Sequence, residues 1–221
     1  YFFRDIKYQK ILNKFFTNEL NEQININGAH FELSPMYHNL ILEKLIDCYK
    51  VGLLNSNAIH NKIHELIEKK VQLMLSWSKK IEMPDGNIPM INDSTFGISK
   101  SFKELYAYYN KSIVFENKFN KVLKYFPKIK VDEFEMLINL SQINPKYQPG
   151  HSHADNLNFI LYYKKKPVIV DPGISTYEKC KLRDLQRSTE YHNTVVVNNK
   201  NSSDVWSAFR VGRRGNTTVL S

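Results

Sequence analysis

Two histidines separated by a single residue, His151 and His153, are the first sign of chemistry in this chain. They sit in Gln148-Pro149-Gly150-His151-Ser152-His153-Ala154-Asp155, at the mouth of a segment whose apolar residues recur at every second position. On an extended backbone, side chains at i and i+2 project to the same side, so both imidazoles can face one cavity. One ring can then bind a metal while the other stays free for proton transfer. Asp171, in Val168-Ile169-Val170-Asp171-Pro172-Gly173, and His192, in Tyr191-His192-Asn193-Thr194, add a carboxylate and a further imidazole. Two imidazoles and one carboxylate form a borderline-soft donor set suited to zinc. Asp155 could orient an imidazole from behind. Plainer readings exist: histidines on a surface loop, and an aspartate capping the Pro172-Gly173 turn. Spacing alone does not choose between them.

A second candidate is Tyr37. Ser34 fits a helix N-cap and Pro35 the first helical position. A helix N-terminus there favours an anion, either a substrate carboxylate or a tyrosinate. The competing role is an aromatic that anchors the helix, which composition alone favours. Pro84-Asp85-Gly86-Asn87-Ile88-Pro89 with Asn92-Asp93 reads as a structured connector. Trp206, Phe209 and Arg210 could line a cleft for anionic saccharides, or belong to an ordinary strand with a basic end.

The elements that must position these groups change type along the chain. Ile6 to Asn18 carries Ile11, Leu12, Phe15 and Phe16 as an amphipathic stripe. Helical periods follow over Met36–Val51 and Ala58–Ile81, with shorter turns over Ser101–Tyr109 and Ser112–Phe126. From Glu133 the pattern alternates, with Phe134, Met136, Ile138 and Leu140 on one side. Further strands are expected over Asn156–Tyr163, Pro167–Val170, Thr194–Asn198 and Val205–Gly212, with Lys164-Lys165-Lys166 as a hairpin turn. Helices first and strands later argue for an α domain packed on a β domain. The boundary lies between residues 126 and 132, dividing 1–128 from 129–221.

The bulk composition limits the classes. The 221 residues are 42% hydrophobic and 24% charged, which suits a folded globular chain. With 31 basic and 22 acidic side chains, the net charge of +9 favours acidic partners, although a lysine-rich surface explains it equally well. No nucleic-acid motif accompanies the charge. Two cysteines exclude a disulfide framework and a four-cysteine zinc site, and Cys48 reads as a small core residue. No apolar run is long enough to span a membrane. The chain opens on Tyr1 and closes on the strand-like Thr217-Thr218-Val219-Leu220-Ser221, so it reads as a fragment cut at both ends.

Several segments together resemble the heparinase II/III-like polysaccharide lyases. Gly28-Ala29-His30-Phe31-Glu32-Leu33-Ser34-Pro35-Met36-Tyr37-His38 is similar to the segment around that family's catalytic tyrosine. His151-Ser152-His153-Ala154-Asp155, Val170-Asp171-Pro172-Gly173 and Arg187 to Val197 resemble its β-domain signatures, and the aromatic and basic run Trp206 to Arg214 fits as well. The resemblance implies an α+β multidomain chain, an incomplete (α/α) toroid followed by an antiparallel β-sandwich, with the site in the cleft between them. It implies β-elimination on an acidic polysaccharide containing uronic acid, with Tyr37 and His151 catalytic. It also implies a structural Zn2+ on His153, Asp171 and His192. Glu32, His38, Arg187 and Arg210 fall in the same motifs as substrate contacts. A periplasmic or secreted location follows from the same resemblance.

Alternatives are a non-catalytic or degenerate saccharide-binding relative and, less favoured, a zinc hydrolase. No Asn-Asn-His-like segment, which would neutralise the uronate carboxylate, precedes Tyr37. The 221-residue piece made alone is therefore expected to show little or no lyase activity. Robust formation of unsaturated uronate by it, read as ultraviolet absorbance, would contradict that.

Overall fold

A computed structural model describes residues 6–54, 61–113 and 125–219. Helix α1 (Ile6–Gln23) runs past the expected end at Asn18 and buries a different stripe from the expected one. Phe16, Leu20 and Ile24, spaced i, i+4, i+8, pack into the core, whereas Ile11, Leu12 and Phe15 are exposed. The apolar residues surround much of this helix, so periodicity alone could not choose the buried face.

Helix α2 (Pro35–Leu54) begins as its sequence requires, with the Ser34 hydroxyl accepting the Tyr37 amide at 3.3 Å. Its buried side carries Leu42, Leu45, Ile46 and Tyr49. Helix α3 (Asn61–Ile81) answers with Ile63, Ile67, Val71, Met74 and Leu75, and α4 (Phe102–Tyr109) adds Leu105 and Tyr109. A complete capping box between Ser101 and Glu104 starts α4. The expected helical turn over Ser112–Phe126 lies mostly outside the described residues.

The α1–α2 connection folds onto the back of α3. Asn25 and Ala29 close a turn around Asn27-Gly28, and the buried Lys70 ammonium donates to the Ile24 carbonyl at 3.0 Å. Gly28 has φ of 90°, and a β-carbon there would lie 2.2 Å from the Leu73 carbonyl oxygen. Backbone cannot yield as a side chain can. Gly28→Ala should therefore destabilise the fold by about 3 kcal/mol, adding left-handed strain to overpacking. An unchanged denaturation midpoint would refute this.

Strands β1 (Lys128–Val131), β2 (Phe134–Ile138), β3 (Phe159–Tyr163) and β4 (Lys166–Ile169) form one antiparallel sheet in sequence order. The β3–β4 turn is the expected one, with Lys164 and Lys165 both at positive φ, the conformation of a tight two-residue hairpin. On β2 the deepest burial falls on the side opposite Phe134, Met136 and Ile138. Leu137 is fully buried opposite Ile160, while Phe134 is exposed and pairs its ring with Tyr163. Both faces of β2 carry apolar residues, so alternation marked a strand but not its inner side.

Leu137, Ile160 and Tyr162 join Ala29, Leu33, Trp77, Ile81, Met83, Ile91 and Phe126 in a second core. Helical and β halves thus share one buried interface. Among the described residues, the other strands form only the ribbon β5 (Val205–Trp206) and β6 (Arg210–Val211). The segment expected as one strand over Val205–Gly212 is bent at Ser207 and Ala208, both at positive φ. Thr194–Asn198 is not a strand. There asparagine side chains replace the sheet ladder: the Asn193 amide donates to the Phe159 and Val170 carbonyls at 3.0 and 2.8 Å. A short helix, α5 (Lys181–Gln186), precedes a single 3-10 turn at Thr189–Tyr191.

Candidate functional site

The halves meet where α2 begins. Tyr37, in the first turn of α2, lays its ring on that of His151, with centroids 4.0 Å apart and planes inclined by 32°. Its hydroxyl donates to the Tyr177 hydroxyl at 3.1 Å. Tyr177 stacks on Phe209 at 5.8 Å, and His151 meets both rings edge-on at 6.5 and 6.1 Å. The structure therefore brings together Tyr37 and His151 and surrounds them with an aromatic wall.

Behind His151 lies a group that sequence reasoning placed in a connector. Asp93 is fully buried, and its carboxylate accepts from His151 Nδ1 at 2.9 Å, His153 Nε2 at 2.8 Å, and the Arg183 guanidinium at 2.5 and 2.7 Å. Burial alone would raise its pKa. The hydrogen bonds from His151, His153 and Arg183 outweigh that and hold the carboxyl well below the usual range. Arg183, on α5, is fully buried and also lies 5.2 Å from the Tyr177 ring centroid. Neither Asp93, Arg183 nor Tyr177 stood out in the sequence. The one available signal was an acid in a run of small polar residues, Asn92-Asp93-Ser94.

The three residues assigned to zinc lie close to one another. His153 and His192 are buried with ring centroids 5.3 Å apart. Asp171 accepts from His192 Nδ1 and from the Asn158 amide, both at 2.6 Å, and from the Gly173 amide at 2.8 Å. Burial pushes the His153 pKa down, with Asp93 partly offsetting it. At His192 the Asp171 hydrogen bond and charge overcome burial and raise the pKa. His153 Nδ1 and His192 Nε2 are both buried without a partner. Such orphaned nitrogens are uncommon, and their lone pairs are chemically suited to a borderline-soft cation. Among the described residues, no set of three histidine, cysteine, aspartate or glutamate side chains is already arranged around a common metal position. Asp155 bonds Asn139 at 2.8 Å, so it does not directly orient either imidazole as expected.

Of the four expected substrate contacts, two are corrected. His38 is fully buried: its Nδ1 accepts the His30 amide at 3.2 Å, its Nε2 faces the Met74 carbonyl at 3.1 Å, and its ring packs on Trp77. Its place beside Tyr37 in sequence is one helical step away in space, which turns it inward. Arg187 is likewise buried, donating to the Ser152 carbonyl at 2.9 Å, and burial with the nearby Arg183 charge lowers its pKa to about 10. It braces the His151 loop from inside. Glu32 is partly exposed, 4.0 Å from His151 Nε2 and 3.7 Å from His30 Nδ1, with its pKa raised chiefly by burial. Arg210 is exposed on β6.

Burial lowers the His38 pKa to about 3 and, helped by the His151 charge, that of His30 to about 4. Both stay neutral in the fold while the unfolded chain takes up protons below about pH 6.5. Their contribution is therefore full above that pH and is lost as pH falls toward 4 and then 3. The stability advantage of wild type over His38→Gln should shrink by about 2 kcal/mol from pH 7 to pH 5. Urea midpoints of both proteins at the two pH values measure it; a constant difference would refute it.

Two family models match the chain. The family model described as heparinase II/III N-terminus matches residues 4–134, and heparinase II/III-like, C-terminal matches residues 121–221. A heparin-sulfate lyase of Bacteroides stercoris is 25% identical over 91% of this chain and 34% of its own length. A second, from Pedobacter heparinus, is 26% identical over 83% of the chain and 31% of its length. The chain thus spans about a third of these curated relatives. A solved heparinase III aligns with TM-score 0.64 and 20% identity over 88% of this chain and 34% of its own. The heparan sulfate lyase HepC from Pedobacter heparinus gives 0.63 and 21% over the same shares. No helix among the described residues is long and apolar enough to cross a membrane.

Proposed function

Because the chain belongs to the heparinase II/III-like family, we propose that it forms the tyrosine–histidine part of a polysaccharide lyase acting on a uronic-acid polymer by β-elimination. One observation carries the reading: Tyr37 from the helical half and His151 from the β half are in ring contact at 4.0 Å. Two proton-transfer groups meet there at the seam between halves, where a polymer could be held by both.

The reaction removes the proton on carbon 5 of the uronate and expels the oxygen on carbon 4, leaving a carbon–carbon double bond. Tyr37 takes the carbon-5 proton or delivers one to the leaving oxygen, according to substrate stereochemistry, and His151 shares the transfer. Tyr177 and Phe209 continue the wall along which a sugar ring can lie, and the exposed Arg210 offers a cation to the anionic chain.

Of the proposed zinc ligands His153, Asp171 and His192, the two histidines would offer their orphaned nitrogens, and Asp171, which here accepts from His192 Nδ1 on the other side of that ring, would have to turn from that bond to join them. The ion's contribution when bound would be to pin three separate segments of the β half behind His151. The helices are read as an arc of an (α/α) toroid and the sheet as part of a β-sandwich. Heparan sulfate is the first substrate to test, since the relatives are heparin-sulfate lyases. The full-length protein should produce unsaturated uronate from it or from another uronic-acid polymer, with rising ultraviolet absorbance. Binding without such product would favour a non-catalytic saccharide-binding relative.

A further inference from the structure

We infer that Asp93 is the positioning residue that assigns the two neighbouring histidines their different tasks, an inference that rests on the lyase reading above. The argument is one of hydrogen-bond capacity. An ionised carboxylate accepts only, and offers about four lone-pair sites. In Asp93 all are in use: Oδ1 takes His153 Nε2 and Arg183 Nη1, and Oδ2 takes His151 Nδ1 and Arg183 Nη2.

Each imidazole must therefore present an N–H to this carboxylate, and the two present opposite nitrogens. His151 carries its proton on Nδ1, which leaves a lone pair on Nε2, the nitrogen 4.0 Å from Glu32 Oε1. His153 carries its proton on Nε2, which leaves a lone pair on Nδ1, the buried nitrogen without a partner. A carboxylate behind a histidine sets the tautomer and orientation of the ring. Here one carboxylate does so twice. It readies His151 Nε2 to accept a proton and His153 Nδ1 to bind a metal.

The backbone of Asp93 extends the same role to the tyrosine. Its amide donates to the His151 carbonyl at 3.0 Å, and its carbonyl accepts from the Ser34 hydroxyl at 2.7 Å. Ser34 is the cap of the helix that carries Tyr37. On either side, the Asn92 side-chain oxygen accepts the His153 amide at 3.2 Å and the Ser94 hydroxyl accepts the Met36 amide at 3.2 Å. Arg183 has no such choice of atoms to impose. It neutralises the carboxylate and fixes its plane through a bidentate pair.

The test uses the full-length protein labelled with nitrogen-15 in its histidines, prepared free of metal, with imidazole tautomers read by NMR. Wild type should show His151 protonated on Nδ1 and His153 on Nε2. Asp93→Asn replaces one acceptor oxygen with an amide nitrogen that donates, so the ring facing that nitrogen should populate the other tautomer while the ring facing the remaining oxygen keeps its own. If that ring is His151, turnover should fall about 10- to 100-fold with KM changed less than about threefold; if it is His153, zinc affinity should fall by a similar factor. A general packing defect would not move the tautomers.

Asp93→Asn leaves the Arg183 charge unpaired in the interior, so Asp93→Asn with Arg183→Met is made alongside it. If circular dichroism shows that neither variant folds, the wild-type spectrum decides. His151 protonated on Nε2 in wild type, or tautomers unchanged in a folded variant, would overturn the inference. Failure of wild type to form unsaturated uronate would instead remove the lyase reading and leave the tautomer result intact.

Discussion

Tyr37→Phe in the full-length protein should lower turnover by about 10²- to 10⁴-fold, the range for loss of a positioned acid–base group. Binding of the polysaccharide should change little. The substitution removes one oxygen and leaves the ring on His151, whose 4.0 Å contact is between faces rather than through the hydroxyl. The lost hydrogen bond runs to Tyr177, which keeps its stacking on Phe209. Packing is thus preserved while the phenol disappears, so the loss should appear in kcat rather than KM. Full-rate formation of unsaturated uronate by Tyr37→Phe would end the assignment. Weakened binding with unchanged turnover would make Tyr37 a saccharide contact only.

The second large effect concerns the metal. Purified wild-type protein should contain zinc, and His153→Ala should have lost most of it and melt several degrees lower. Two buried nitrogens without partners, on rings whose centroids are 5.3 Å apart, each carry a desolvation cost of about 1–3 kcal/mol. A cation on them removes that cost and ties the His151–Asp155 loop to the segments bearing Asp171 and His192. In a domain of this size about 1 kcal/mol shifts the midpoint by roughly 2–4 °C. A chelator should reproduce the shift in wild type and leave His153→Ala unmoved. Zinc-free wild type whose melting is indifferent to added zinc would sink the reading.

The local features of the site were legible because local physics produces them. Ser34-Pro35 announced the start of α2, and so the placement of Tyr37. The His151/His153 pair announced a shared direction, and Asp171 at a strand end announced a carboxylate that needed partners. The hub at Asp93 was not legible. Its four donors come from the loop at 151–153 and from α5, and a lone acid after Ile91-Asn92 has no periodic or spacing signature. Arg183 and Tyr177 were missed for the same reason. The opposite error occurred at His38 and Arg187, where nearness in sequence to functional residues was taken for nearness to substrate. One helical step buried the first, and the Ser152 carbonyl holds the second.

Strand β4 has a consequence beyond the site. Among the described residues it lies at the margin of the sheet, with Val168 exposed and Val170 exposed just after it, and unpaired backbone at such a margin can recruit a strand from another molecule. The chain counters this with Pro167, which has no amide to offer, and with a tip of three lysines. Lys164 and Lys165 hold a left-handed backbone that Asn-Gly would adopt with less strain. Lys164-Lys165→Asn-Gly would therefore relieve the turn while removing two of the charges that guard the margin, two effects that pull stability and solubility in opposite directions.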